Sequence, residues 1–462
     1  MEITNSAGLS KILTFTILNF CALSYGIPEP KVLVENGGWC WFQDERAIFS
    51  DENTVLFGSV KAPSGDLDAT SWNIKTGEVN THTLARHFNC DDHATAAFLK
   101  LSNGEVLAAW SSHGNAFNKD DNNTLFYTKK NASDPIDKWG QIKRLKHGGC
   151  YNNLYQLESE NGKIYNFVRS VGWNPNYHTS SDMGESFPYG GRFLFWEVSK
   201  DDPKSTGLDG NRPYVKYASN GKDRIDFIST ESHPRAYDNS IYHGFLKAGK
   251  MYDSNSKEVG DLPKSQKSHL KPTDFTKVFN GDAENVAWGV DLHVDKEGRP
   301  ICIFSVQKNA GHLRRLSSHL GADLRYYYAI FDGVKWIVNQ MAFAGTSIYT
   351  NPNFYTEPDY SGLAAIVGHS PDTVYISTNS NPETALPLVS SGDGKRHFEI
   401  FKGRTTDMGK TWKWTAITEN SKFDNIRPII PISSDSKTVV LWMQGSYTTY
   451  CDYNTKIVGI ID

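Results

Sequence analysis

The sequence predicts an all-β fold, a seven-bladed β-propeller in a single domain over residues 27–462, on three observations. Helical periodicity is nearly absent, and short runs rich in β-branched and aromatic residues recur in its place. Turn signals such as SNGE, ENGK, KEGR and FDGVKW close these runs and supply Asn or Gly where a hairpin needs positive φ. Two segments, SSDMGESF at 180–187 and TTDMGKTW at 405–412, share the pattern S/T-x-D-x-G-x-S/T-aromatic. Their aspartates lie 225 residues apart, which reads as about four blades of roughly 56 residues. A ring of seven over the chain asks for roughly 62 residues per blade, and a ring of six for roughly 73.

Taken in order, the chain opens with ILTFTILNFCALS after Lys11, too short to span a bilayer and preceded by a basic residue. Residues 1–26 are expected to be a signal peptide cleaved near Ser24 to Gly26, so the protein is expected to be secreted, extracellular or periplasmic. The bulky Phe20 before Cys21 argues against a lipoprotein cleavage site. Strand-like runs follow: TVLFGSV, AAFLKL, VLAAWSS, IYNFVRS, RFLFWEV, ICIFSV, YYYAIF and TVVLWMQ. The two repeated segments match the Asp-box, a hairpin turn whose Asp bonds the loop backbone and whose aromatic packs between blades; they carry structure rather than chemistry. A ring must close on itself, so residues of about 30–42 are expected to pair with the C-terminal blade, and a Cys40–Cys451 bridge would fit that closure. Without the leader five cysteines remain, Cys40, Cys90, Cys150, Cys302 and Cys451, with no CxxC spacing for zinc or redox chemistry.

Composition narrows the function. The 462 residues carry 48 Lys+Arg against 52 Asp+Glu, a net charge of −4 with no basic block, which excludes a nucleic-acid partner held by a basic stripe. A mean hydropathy of −0.49 fits a soluble, turn-rich chain, expected to be a monomer with no membrane partner.

Several side chains could carry chemistry. His93 follows two acids in NCDDHATAAFLKLSNGEVLAAWSSHG, and His113 ends the next strand; if SNGE makes a hairpin, both imidazoles share one end of a blade. Such a pair can act as base, proton relay or metal ligands. In CYNNLYQLESENGKIYNFVRS the same geometry brings Tyr151 and Arg169 together. A base, a phenol and an arginine form a set suited to β-elimination from a uronic acid: the arginine pairs with the carboxylate while His and Tyr move protons. His233, Arg235, Tyr242 and His243 could line an anionic sugar subsite. His293 and Cys302 could join a structural metal site, Zn or Ca, but nothing fixes further ligands, and the chemistry itself calls for no cofactor.

The segments GGWCWFQDERAIF, DDHATAAFLKLSNGEVLAAWSSHG, YNNLYQLESENGKIYNFVRS, RPYVKYASNGKDRIDF, SHPRAYDNSIYHGF, DLHVDKEGRPICIFSV and NIRPIIP run in order through nearly the whole chain. Together they resemble the bacterial-neuraminidase-repeat propeller family that contains the ulvan lyases of polysaccharide lyase families 24 and 25. The resemblance implies seven blades, secretion by a marine bacterium, and an anionic sulfated polysaccharide cut between a sulfated rhamnose and a uronic acid. It implies His93 as the catalytic histidine, His113 as its companion, Tyr151 as the catalytic tyrosine and Arg169 as the carboxylate neutraliser, with Tyr155 a near neighbour of Tyr151. Two other readings stay open on the same propeller: a glycoside hydrolase, rhamnosidase or sialidase, and a non-catalytic sugar-binding protein. A sialidase needs an arginine triad with an early Arg-Ile-Pro, whereas FQDERAI occupies that place and Arg427-Pro428 comes late.

Overall fold

Seven antiparallel sheets succeed one another along the chain in the computed structural model, each one a blade of a propeller. The structure describes residues 29–462 except 45, 115, 200, 209, 211, 268, 309–320, 350–356 and 434–436; the expected signal peptide lies outside the described residues. Blades 1, 2, 3, 5 and 6 are four-stranded meanders in chain order, over residues 47–85, 97–146, 150–192, 285–345 and 364–416. Blade 4, residues 215–279, has six strands, because Thr276–Phe279 returns to pair with Ile241–Lys247. Among the described residues no helix is long and apolar enough to cross a membrane.

The apolar runs visible in the sequence are mostly second strands, which lie between neighbouring blades and are covered on both faces. Thr54–Val60, Glu105–Ser111 and Pro300–Lys308 are buried along nearly their whole length. Outer strands such as Lys143–Lys146 alternate with solvent, as a half-exposed edge does, and carry charge that discourages edge pairing. Apolar seams join the blades: Leu56 and Val60 of blade 1 pack with Phe98, Val106 and Trp110 of blade 2, all below a tenth exposed.

Both Asp-boxes adopt one geometry at the turn between third and fourth strands. Backbone N–H groups of Ser186 and Thr411 donate to Asp182 and Asp407 at 3.0 and 2.9 Å. Phe187 meets Tyr127 of blade 2 edge-on at 5.1 Å, and Trp412 meets Tyr328 of blade 5 at 5.3 Å. The boxes belong to blades 3 and 6, so their 225-residue spacing covers three blades of about 75 residues rather than four of 56. Extra strands in blade 4 and long connections in blades 4 and 5 account for the excess.

The ring closes through the N-terminus. Lys31–Val34 pairs antiparallel with Asp452–Ile461, completing the sheet that Asp424–Ile429 and Val439–Thr449 begin. The expected bridge is corrected: Cys451 pairs with Cys90, at a Cα–Cα distance of 4.9 Å, while Cys40 is a free, buried thiol. Cys451 sits in the turn between the last two strands, and that turn reaches over the mouth to the loop before blade 2, where Asp92 N also donates to Tyr450 O at 3.0 Å.

Candidate active site

The segment GGWCWFQ before blade 1 leaves the rim and plugs the central channel, with Trp39, Cys40, Trp41 and Phe42 at most 3 % exposed. Trp41 packs against Trp288 at 4.2 Å, tilted by 34°, and donates its indole N–H to Ser361 O at 2.7 Å. Phe42 meets Tyr214 edge-on at 4.9 Å and Tyr151 at 5.6 Å. These rings form an aromatic floor, and the polar groups at one mouth of the ring stand on it.

Two histidines and one carboxylate make the first wall. Asp91 caps the short 3₁₀ turn Asp92–Ala94, accepting from His93 N at 3.0 Å. The same carboxylate accepts from both imidazoles, His93 Nδ1 at 2.6 Å and His113 Nδ1 at 2.8 Å, and the two rings stack at 4.0 Å within 4° of parallel. Asp92 Oδ1 lies 2.9 Å from His93 Nδ1, so His93 faces two acids and His113 one. That asymmetry decides which ring is charged. Burial opposes the charge on His93, but the Cys40 sulfur and the Asp91 and Asp92 carboxylates outweigh it and hold the pKa well above the ordinary histidine range. Burial and the adjacent His93 charge push His113 down to about 4, with Asp91 pulling the other way. Burial opposes the charge of Asp91 as well, but the two histidines keep its pKa well below the usual carboxylate range. At neutral pH the wall therefore holds a His93 cation, an Asp91 anion and a neutral His113.

Tyr151 and Arg169 make the second wall. Strand Cys150–Leu157 pairs with Lys163–Arg169 so that Cys150 stands opposite Arg169. Close approach here requires glycine at 149, where a Cβ would sit 1.7 Å from Arg169 O. Tyr151 has φ of +63°, a left-handed conformation that costs a bulky residue roughly 1–3 kcal/mol and is concentrated at functional sites. Its ring lies under the Arg169 guanidinium, 4.5 Å from centroid to Cζ. Arg169 donates Nη1 to Tyr214 OH at 2.9 Å and Nη2 to His113 Nε2. With Nδ1–H donating to Asp91 and Nε2 accepting from Arg169, the tautomer of His113 is set by its two partners. Burial, with the Cys40 sulfur nearby, raises the Tyr151 phenol well above its ordinary value although Arg169 opposes this, so the phenol stays protonated.

His233, Arg235, Glu357 and Tyr450 form the wall opposite. Glu357 accepts from Arg235 Nη1 at 2.5 Å and from Tyr450 OH at 3.0 Å, and lies 3.2 Å from His233 Nε2. Burial would raise the Glu357 pKa, but His233 and Arg235 hold it below the ordinary range. The structure does not bring Tyr242 and His243 to this mouth. They occupy the third strand of blade 4, away from the axis, where Tyr242 bonds Glu231 at 3.0 Å and the fully buried His243 lies between Ser254 and Asp226. His293 and Cys302 do not share a metal site either. Cys302 stands opposite Leu292 and His293 opposite Ile301, so their side chains leave opposite faces of the sheet. His293 instead lines a cavity of about 910 Å³ on the far side of the aromatic floor.

Two sets of residues bring potential ligand atoms within 4.8 Å of one another: Cys40, Asp92 and His93, and Asp91, His93 and His113. In the second set both Asp91 oxygens already accept from an imidazole, an arrangement that holds protons. Sequence reasoning missed Asp91 as the shared partner, although the acids before His93 were visible. It also missed Tyr214, Glu357 and Tyr450, which stand in loops or just before a strand, and Arg427, which stands where the register of Asp424–Ile429 breaks. Arg427, fully buried with φ of +57°, donates to Asp92 Oδ2 at 2.8 Å beside Tyr447 OH at 2.6 Å, and so fixes the second acid from below.

Comparison with known proteins places these features in context. The BNR repeat-containing family matches residues 54–344. No curated protein matches the sequence. Among solved structures the chain is similar to a PL25 ulvan lyase bound to -[GlcA(1-4)Rha3S]-, with TM-score 0.64 and 14 % identity over 93 % of this chain and 95 % of that one. A second structure of a PL25 ulvan lyase gives 0.62 and 13 % over the same shares. The polysaccharide lyase Uly1 gives 0.54 and 13 % over 95 % and 94 %. At these identities the likeness is one of fold.

Proposed function

The chain belongs to the BNR repeat-containing family, and from that premise we propose that it is a secreted polysaccharide lyase that cleaves ulvan by β-elimination at the bond between sulfated rhamnose and uronic acid. The observation that carries this reading is Arg169: a guanidinium 5 % exposed, stacked on Tyr151, touching the lone-pair nitrogen of a neutral histidine, with no carboxylate partner among the described residues. A uronate carboxylate supplies the missing anion. Once Arg169 binds it, His113 Nε2 is released and takes the proton α to that carboxylate. The charge that develops on the carboxylate is stabilised by Arg169 and by the hydroxyl of Tyr214. The C4–O bond then breaks, the leaving oxygen takes the proton of Tyr151, and the product carries a C4=C5 double bond. His93, kept cationic by two acids, orients Asp91 and through it His113. The solved ulvan lyase bound to a glucuronate–rhamnose-3-sulfate ligand supports the choice of substrate.

A glycoside hydrolase would need a carboxylic acid that stays protonated near neutral pH. At this mouth Asp91 is held ionised by two histidines, Glu357 by His233 and Arg235, and Asp92 bonds Arg427 and Tyr447. None is placed to serve as that acid. The test is incubation with ulvan while following both the ultraviolet absorbance of the conjugated uronate and the release of reducing ends. The lyase reading expects both to rise together. Reducing ends without the chromophore would replace it with a hydrolase, and binding without either would replace it with a lectin.

A further inference from the structure

Beside the His113–Arg169 pair the mouth opens into a side cavity of about 380 Å³, within the range of small-ligand pockets, roughly 300–1,000 Å³. Its lining includes His113, His147, Arg169 and Trp173. Trp173 is 51 % exposed, the one exposed tryptophan among the described residues. It is held there with φ of +61°, directly after Gly172 at +67°. A bulky aromatic in the left-handed region, half exposed although His113, Arg169 and Arg212 lie against it, is strained in a way that core packing does not explain. His147, at the other side of the cavity, also has positive φ, at +64°.

Charge is equally uneven. Arg169 and Arg212 both lie against the Trp173 ring, at 5.4 and 5.8 Å from Cζ to centroid, and both donate to Tyr214 OH, at 2.9 and 3.1 Å. Two guanidiniums thus converge on one phenol oxygen with no carboxylate bound to either among the described residues. The Nε of each is buried and has no hydrogen-bond partner. One anion held by Arg169 leaves Arg212 still uncompensated, so the site has capacity for a second negative group at a short distance from the first.

We propose that Trp173 and Arg212 form a subsite for the sugar adjacent to the uronate held by Arg169, with the pyranose face on the indole and the sulfate or carboxylate of that sugar on Arg212. An aromatic face for C–H groups beside a fork of donors for an anion is the chemistry of an acidic pyranose. The proposal rests on the lyase reading for the identity of the polymer.

The test uses the full chain, with calorimetric binding and steady-state kinetics on native and chemically desulfated ulvan. Trp173→Ala removes an exposed platform, not a core residue, and is expected to raise Kd and KM on native ulvan by about ten- to a hundredfold with a much smaller change in kcat. Trp173→Phe, which keeps a ring, is expected to recover most of that loss. Arg212→Met is expected to weaken binding similarly. If its effect vanishes on desulfated polymer the anion is a sulfate, and if it persists the anion is a carboxylate. Kd and KM of Trp173→Ala within about twofold of the unmodified chain would overturn the subsite. So would failure of the unmodified chain to bind either polymer. Because binding is read without turnover, a chain that binds ulvan through Trp173 yet forms no chromophore keeps the subsite and loses only the reaction.

Discussion

Replacing Asp91 with Asn changes one charge at the centre of the first wall and leaves the shape in place. Asn is as good a helix N-cap as Asp, so the turn that carries His93 should be retained. The carboxylate oxygens lie 2.6 Å from His93 Nδ1 and 2.8 Å from His113 Nδ1. With the centres of charge about 4 Å apart and an effective dielectric of about 20, the attraction lost at His93 is about 4 kcal/mol, so its pKa falls. Asp92 remains at 2.9 Å and keeps part of the effect, so the fall is partial. The Asn amide also offers a donor where one imidazole needs an acceptor, which frees His113 to take the wrong tautomer. Loss of a carboxylate in that role costs about 10²–10⁴ in rate. Histidine NMR on the Asp91→Asn chain should show the His93 titration at lower pH than in the parent, with circular dichroism unchanged, and turnover of ulvan should fall by the stated factor. A His93 midpoint that stays where it is in the parent would refute the charge assignment, whatever the activity does.

Arg169→Lys keeps the charge but loses the planar fork that holds both Tyr214 OH and a carboxylate, and is expected to lower turnover by about 10²–10³, measured as chromophore formation. Stability should decline as the pH drops from about 6.5 toward 4, because the unfolded chain takes up a proton that His113, with its pKa near 4, refuses in the fold; at most about 3 kcal/mol is at stake for this residue. His233, also pushed down to about 4 by burial with Arg235 and Arg212 nearby and Glu357 opposing, acts in the same window, so denaturant titrations of the parent and of His113→Asn at pH 7 and pH 5 should differ in slope by about one proton. An equal slope in the two chains would count against a neutral His113. Cys90→Ser should lower the unfolding free energy by up to about 5 kcal/mol, since the bridge closes a loop of 361 residues, read as a fall in the denaturant midpoint.

The parts of the site that could be read from sequence were those fixed by a two-strand register. The pairing Ala97↔Ala109 projects position 93 onto 113, and Cys150↔Arg169 puts Tyr151 beside the guanidinium. Both follow from the turns SNGE and ENGK. The parts that could not be read depend on where a strand lies within its blade or on which loop crosses the mouth. Tyr242 and His243 carry the right chemistry but stand on the third strand out from the axis, a radial position that alternation does not encode. Glu357 and Tyr450 come from blades far along the chain and meet only because the ring is closed. The fold class rested on firmer ground, because fully covered second strands leave continuous apolar runs, and the Asp-box turns demand Asp and Gly for local hydrogen bonds. Blade length does not follow from the spacing of the two boxes, because the six-stranded blade 4 between them breaks the uniform repeat.

The aromatic floor built by Trp39, Trp41 and Phe42 makes the mouth a cul-de-sac. Nothing can be drawn through the axis, so whatever arrives must depart by the same opening. A long polymer can therefore meet His113 and Arg169 only by draping across the rim, with both of its tails outside. Such a seat imposes no polarity of travel and asks for no chain terminus, and the two fragments of a cut strand can lift away sideways without unthreading. Grip on the strand then depends on handholds around the rim, not on enclosure.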